Sequence, residues 1–353
     1  MKSTTIIGLM SGTSLDGVDI ASCEFSISKN GKINYKIHGA ETIAYTKDWK
    51  NKLTSAPLLS GLELKFLDID YGNYLGGITK DFITRHRLEP HFIASHGHTV
   101  FHQPGRGITL QIGSGASIAA KTGLKVICDF RSLDVVLGGQ GAPLVPIGDK
   151  LLFGEYEFCL NLGGFSNISM DDKKLRRIAF DICPVNMALN HYANKLGFEF
   201  DKNGEIAAKG LLNKKLLNAL NSLDYYTKKH PKSLGREWFE TSFLPLIDNH
   251  IPTQDVLHTL TEHIAIQIAM AVSEFPAGKI LTTGGGAENT YLIKRIRKHA
   301  KSKIVIPEKI LVHYKEALVF ALLGFLRSEN KINTLASVTG ARSNSIGGAI
   351  FQG

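Results

Sequence analysis

The sequence predicts an α/β protein of two domains, and three observations carry that prediction. Strand-like apolar runs alternate with stretches of helical periodicity. The 353 residues suffice for two ordinary cores. Three separated segments also share one design, an apolar strand running into glycines and small polar residues. Apolar residues make up 43% and charged ones 21%, a balance that excludes a disordered chain.

The first of these segments is IIGLMSGTSLDGVDIA, Ile6 to Ala21. Its two turn glycines, three hydroxyls and two aspartates exceed the needs of a two-residue hairpin. The second, FCLNLGGFSNISM from Phe158 to Met170, reads as strand, Gly-Gly, then strand. In the third, KILTTGGGAENTYLIKRI from Lys279 to Ile296, a strand meets three glycines and then a helical pattern. The first two stand at matching places in two halves of the chain, a weak internal duplication.

Glycine lets the backbone approach a ligand, and consecutive amides form an anion-binding nest. Facing glycine hairpins would therefore cradle a polyphosphate. Gly12, Thr13 and Ser14 offer donors, while Asp16 and Asp19 offer carboxylates for Mg²⁺ or its waters. Gly284 to Ala287, opening a helix, would take a nucleoside or another phosphate. Tight turns with no ligand are the bland alternative, weaker for three such loops than for one. Neither GxxxxGK followed by Ser or Thr nor GxGxxG occurs.

Among helices, Val185 to Leu196 places Val185, Ala188, Leu189, Tyr192, Ala193 and Leu196 on one face. Val256 to Phe275 is mostly apolar, and Glu316 to Leu326 is apolar nearly all round, so both are expected to be buried. Gly and Pro cluster in LGGQGAPLVP, Leu137 to Pro146, the expected crossover between halves.

Four segments carry candidate chemistry. HFIASHGHTVFHQP holds His96, His98 and His102, at spacings that suit zinc. It has no carboxylate of its own, so a polar sugar-binding loop and plain turn histidines stay open beside the metal. Asp129 and Arg131 follow an apolar strand, where alternate residues share a face. Arginine there suits a carboxylate or phosphate, with an ordinary ion pair as the alternative. Asp181, ending a strand before a helix that begins near Pro184, is placed as a general base or a helix cap. Glu316 heads an apolar helix, where a dipole partner is the alternative.

The formal charge of +9 is dispersed over Lys173 to Arg177, Lys228 to Lys232 and Lys294 to Lys303. None of these clusters is interleaved with aromatics, which argues against a nucleic-acid partner. Cys23, Cys128, Cys159 and Cys183 contain no CxxC pair and fit a reducing compartment. The apolar run after Lys2 is too short for a signal segment, and Ala317 to Leu326 is too short for a membrane span. A cytoplasmic protein without a membrane partner is expected.

Taken together, GLMSGTSLDGVD, SHGHTVFHQP, DFRSLDVVLGGQGAPLVP, NLGGFSNIS, FDICPVN, DKNGEIAAKG, PKSLGREWF, TTGGGAEN, EALVFALL and SVTGA are distinctive. From about Ile6 to Gly353 the chain resembles the anhydro-N-acetylmuramic acid kinases of the actin, hexokinase and heat-shock-chaperone ATPase superfamily. The resemblance implies two ribonuclease-H-like domains with an interdomain nucleotide cleft, the actin-like ATPase fold. The domains are expected at 1–135 with 336–353, and at 136–335. It implies that water opens the 1,6-anhydro bridge of the sugar while O6 receives the γ-phosphoryl of ATP. The products would be N-acetylmuramic acid 6-phosphate and ADP, in peptidoglycan recycling.

Carried over by position, Asp181 is the base. Gly12, Thr13, Ser14, Leu15, Asp16, Gly17, Val18 and Asp19 bind ATP phosphates and Mg²⁺, with Asp16 as the metal residue. Gly163, Gly164, Gly284, Gly285 and Gly286 complete the nucleotide site, and His96, Asp129, Arg131 and Glu316 are sugar-side contacts. A homodimer is also implied. Around the base the family usually reads Asp-Thr-Gly-Pro-Gly-Asn, whereas here Asp181 is followed by Ile182, Cys183, Pro184, Val185 and Asn186. His98 stands for the glutamine of a His-Gly-Gln-Thr loop, and Met10 stands where related sugar kinases carry aspartate. These departures, which would remove a polar contact and room for close approach, keep two alternatives open: a kinase for another amino sugar, and a non-catalytic sugar or nucleotide sensor.

Overall fold

The computed structural model describes residues 3–12 and 15–353; Thr13 and Ser14 of the first glycine loop lie outside them. The chain divides into two compact units, residues 1–152 with 314–353, and residues 153–313.

In the first unit, β1 (Ser3–Met10), β2 (Gly17–Ile27) and β3 (Ile33–Ala44) form an antiparallel meander. Next to β1 lie β4 (Phe92–Ser95) and β7 (Lys125–Cys128), both parallel, and β13 (Ala349–Phe351) closes the edge antiparallel to β7. A separate hairpin joins β5 (His98–Gln103) to β6 (Ile108–Ile112). The second unit repeats the plan. There β8 (Phe158–Leu162), β9 (Phe165–Asp171) and β10 (Arg177–Pro184) are the meander, and β11 (Lys279–Thr283) and β12 (Lys303–Val305) are the parallel additions. Each sheet thus reads third, second, first, fourth, fifth, with β13 added to the first. This is the ribonuclease-H-like arrangement, present twice, with β1–β2 and β8–β9 as the matching hairpins.

Burial explains why these segments take these positions. Ile6, Ile7 and Leu9 of β1 are all buried, as a central strand covered on both faces requires. Gly8 is there because the helix Lys309–Ser328 crosses so closely that a Cβ would strike the Ala317 carbonyl. That helix is buried all round from Ala317 to Leu323. It is broken at Tyr314 (φ −111°, ψ 16°), where the chain re-enters the first unit. In the second unit the helix Thr253–Ser273 buries Val256, Leu260, Ile264 and Ile268 against Ala188, Leu189 and Tyr192 of the helix Asn186–Asn194. Leu196, expected on the same face, is exposed because that helix has ended.

Two expectations about organisation are revised. The boundary expected after residue 135 falls at 152, and the return expected at 336 begins at 314. Leu137–Pro146 is therefore no crossover. It folds back on its own unit, where the fully buried Asp134 accepts from the Gly141 amide (2.8 Å) and the Thr339 hydroxyl (2.7 Å). Gly and Pro serve that return, not a linker.

Candidate active site

The second unit gathers two of the glycine bends. Gly163 and Gly164 turn β8 into β9, and their carbonyls accept the amides of Val185, Asn186 and Met187. Gly284 has φ +83°, and a Cβ on it would lie 2.5 Å from the Asn161 side chain. A Cβ on Gly286 would lie 2.8 Å from that of Leu162, so the triplet packs directly on the tip of β8. Gly285 differs, since its nearest neighbour would be Asn186 Nδ2 at 3.8 Å. The triplet does not itself open a helix. Gly285–Glu288 is a short 3₁₀ turn, and the helix Thr290–His299 begins after Asn289, whose side chain accepts from the Leu292 amide.

Asp181 lies inside β10, not at its end, beside a shift of register between Asp181 and Cys183. Such bulges re-aim side chains. Its Oδ2 accepts the Leu234 amide at 2.8 Å, while no protein hydrogen bond reaches Oδ1 among the described residues. Burial raises its pKa, and the Leu234 amide opposes that rise. The departures that follow it point inward. Ile182, Cys183 and Val185 are buried in the second unit's core, and Cys183 lies against Ser166. These three side chains fill a core.

In the first unit, the loop between β1 and β2 leaves Asp16 exposed at a bend. Leu15 adopts φ +59°. Gly17 is pressed against the Ile43 carbonyl, Val18 is a core residue, and Asp19 accepts from Thr42 Oγ1 at 2.6 Å. Gly12 is half-buried beside the buried Ser11, whose hydroxyl donates to the Gly97 carbonyl (2.7 Å).

His96 is held in one tautomer. Arg131 donates from Nε (3.0 Å) and Nη2 (2.9 Å) to His96 Nε2, leaving the ring proton on Nδ1, which reaches the Ser11 carbonyl at 3.3 Å. Burial and the neighbouring guanidinium push the His96 pKa well down. Burial lowers Arg131 to about 10, with Glu316 acting against it, so the guanidinium keeps its charge. Glu316 is half-buried, and burial raises its pKa first of all. Lys315 and Arg131 lower it, while Asp19 and Asp149 raise it. Beside it Lys315 Nζ meets Asp149 Oδ1 at 3.0 Å, an ion pair with both side chains buried.

Strand alternation does not unite Asp129 and Arg131. β7 stops at Cys128, and Asp129 turns into the left-handed region at φ +58°. Its Oδ1 accepts from the Ser132 amide (3.3 Å) and hydroxyl (2.5 Å). His96 and Asp129 nonetheless share a cavity of about 210 Å³ at the carboxyl ends of β4 and β7, where open α/β sheets bind ligands. Lys65 and Asp68 also line it; they sit on a long helix, Gly61–His86, whose pattern gave no hint of a site. The three loop histidines do not assemble a metal centre. His98 is buried with its ring edge-on to Tyr71, His102 bonds Thr109, and among the described residues no cluster of three metal-ligating side chains exists.

The family model for anhydro-N-acetylmuramic acid kinase matches residues 4–353. The chain belongs to the anhydro-N-acetylmuramic acid kinase family. An anhydro-N-acetylmuramic acid kinase of Sulfurovum sp. is 33% identical, over 99% of this chain and all of the relative. One from Aliivibrio fischeri is 36% identical, over 98% of each. Among solved structures, the activator of the 2-hydroxyisocaproyl-CoA dehydratase from Clostridium difficile with bound ADPNP aligns at a TM-score of 0.49 and 13% identity, over 93% of this chain and 96% of that one. As a member of this kinase family the chain is an ATP-using phosphotransferase acting on a small sugar. No helix among the described residues is long and apolar enough to cross a membrane.

Proposed function

We propose that this chain carries out its family's reaction on 1,6-anhydro-N-acetylmuramic acid with Asp181 as the base. The carboxylate takes a proton from water, whose oxygen bonds to the anomeric carbon as the bridge C–O bond breaks. The released O6 takes the γ-phosphoryl of ATP, giving N-acetylmuramic acid 6-phosphate and ADP. The product would re-enter cell-wall metabolism. The observation that carries this reading is the carboxylate itself: half-buried, one oxygen fixed by a backbone amide, the other available to a water. Partial burial makes it a stronger base than an exposed aspartate.

ATP is assigned to the bends Gly163–Gly164 and Gly284–Gly286 and to the loop from Gly12 to Asp19. That loop includes Thr13 and Ser14. Gly285 supports the assignment, because among the described residues nothing would lie nearer than 3.8 Å to a Cβ placed on it. Asp16, exposed at its bend, suits a hydrated Mg²⁺, which keeps most of its waters and takes one or two carboxylates. Bound there, the ion would neutralise phosphate charge. The sugar is assigned to the cavity of His96 and Asp129, with Arg131 and Glu316 beside it. A homodimer and a cytoplasmic location complete the reading. Leu62, Phe66 and Ile69, exposed at helical spacing, would suit self-association.

The test is ADP release from ATP with the anhydro sugar. Asp181→Asn should lower kcat by about two to four orders of magnitude with the nucleotide still bound. An undiminished variant would refute the base. Turnover of a different amino sugar, with the anhydro sugar inert, would refute the substrate.

A further inference from the structure

Asp181 is oriented by a segment that lies outside the sheet. Asp181 still pairs with Asn167 in the β9–β10 ladder, but beside the bulge its backbone amide and carbonyl are held by residues 225–234. The Asp181 amide donates to the Lys232 carbonyl (3.2 Å), the Asp181 carbonyl accepts the Tyr225 hydroxyl (2.6 Å), and the carboxylate accepts the Leu234 amide. Tyr225 is itself pinned. Its ring packs on Trp238 at 5.3 Å, and Lys232 Nζ sits 4.7 Å from the ring centroid while donating to the Tyr225 carbonyl (3.3 Å). Both backbone groups and one carboxylate oxygen of the base thus depend on one strap.

We propose that Tyr225 is a positioning residue for Asp181, with Lys232 holding Tyr225 in turn. This rests on the reading of Asp181 as the base. A hydroxyl bonded to the carbonyl of the base cannot touch substrate through that bond, but it fixes the bulged backbone from which the carboxylate projects. When that anchor is lost, the bulged backbone shifts and the Leu234 amide no longer meets Oδ2 squarely. Catalysis then suffers through geometry, since a small misplacement of a base costs far more in rate than in binding.

The titratable neighbours are few. Tyr225 and Cys183 are both pushed up by burial, Cys183 to about 12, so both stay neutral at working pH. Tyr226, edge-on to Tyr225, is likewise pushed up by burial; Lys232 is a nearby cation, its pKa lowered by burial, and His230 stacks on Phe180. Loosening the Leu234 amide removes the contact that opposes burial at Asp181, so the pKa of the base rises.

The experiment uses the full chain with ATP and anhydro-N-acetylmuramic acid over about pH 5 to 9. Tyr225→Phe keeps the ring and deletes the hydroxyl. Its kcat should fall about tenfold with both KM values little changed, and the acid limb of the kcat profile should move to higher pH. Lys232→Met should give the same signature, weaker. Unchanged kcat in Tyr225→Phe overturns the inference. So does a loss that follows KM and thermal midpoint while the pH profile stays in place. Asp181→Asn separates the two readings: if it stays active the base is wrong, and if it is dead while Tyr225→Phe is normal only the positioning role fails.

Discussion

Replacing His98 by glutamine, the residue the family resemblance places there, should remove a defined part of the acid sensitivity of the first unit. His98 is 4% exposed and its Nδ1 has no hydrogen bond among the described residues. Burial lowers its pKa from 6.5 to about 4. Between those values the unfolded chain binds a proton that the folded chain refuses. Stability therefore falls as pH drops below 6.5 and the loss levels off near 4. The shift is worth about 3 kcal/mol in full, of which about 2 kcal/mol is already lost at about pH 5.

Glutamine does not titrate, so the gap in unfolding free energy between the two proteins should move by about 2 kcal/mol between neutral pH and about pH 5. The constant offset between them is irrelevant. The chain has two tryptophans, one per unit, and Trp49 stands 5.6 Å from the same Tyr71 that faces His98. In a Trp238→Phe background, urea titrations followed by Trp49 fluorescence therefore report the first unit. Parallel pH curves for the two proteins would refute a buried neutral His98.

Other perturbations test other parts. Lys315→Met should destabilise the first unit by about 3–5 kcal/mol, because it breaks an ion pair whose two side chains are both buried; Asp149→Leu added to it should restore most of that loss in denaturant melts. Gly284→Ala should cost about 1–3 kcal/mol from its left-handed backbone and the nearby Asn161. Gly285→Ala, with space around it, should leave stability within about 0.5 kcal/mol yet raise the KM for ATP if phosphate approaches there. Arg131→Lys cannot reproduce the two-pronged grip on His96, so the sugar KM should rise about tenfold while the ATP KM holds, as steady-state kinetics will show.

Much of the fold was legible because its signals are local. Apolar runs with glycine ends marked β1, β8 and β11, and helical periodicity marked the buried faces of Thr253–Ser273 and Ala317–Leu323. What escaped is set by long-range packing. Leu137–Pro146 has linker composition, but a buried Asp134 over two hundred residues from Thr339 ties it down. Asp129 breaks strand alternation through a single left-handed residue. At the site, Asp181 and the glycine bends stand out by residue type. Tyr225 and Leu234 do not, since one acts through a hydroxyl on a distant carbonyl and the other through a backbone amide that any residue but proline supplies. The changes at Ile182, Cys183 and Val185 invited a functional reading, and all three side chains turn out to be buried, which their position in the motif does not show.

The interleaved connectivity has a consequence for biosynthesis. Residues 153–313 form an uninterrupted stretch and can reach their native state as soon as they leave the ribosome. The amino-terminal part emerges earlier but must wait, because most of the Lys309–Ser328 helix that covers Gly8 and the β13 strand that seals the β7 edge are translated after residues 153–313. Of the two units, the one begun earlier is thus completed later, and a nascent chain stalled before Tyr314 would expose the apolar surface of β1 to chaperones.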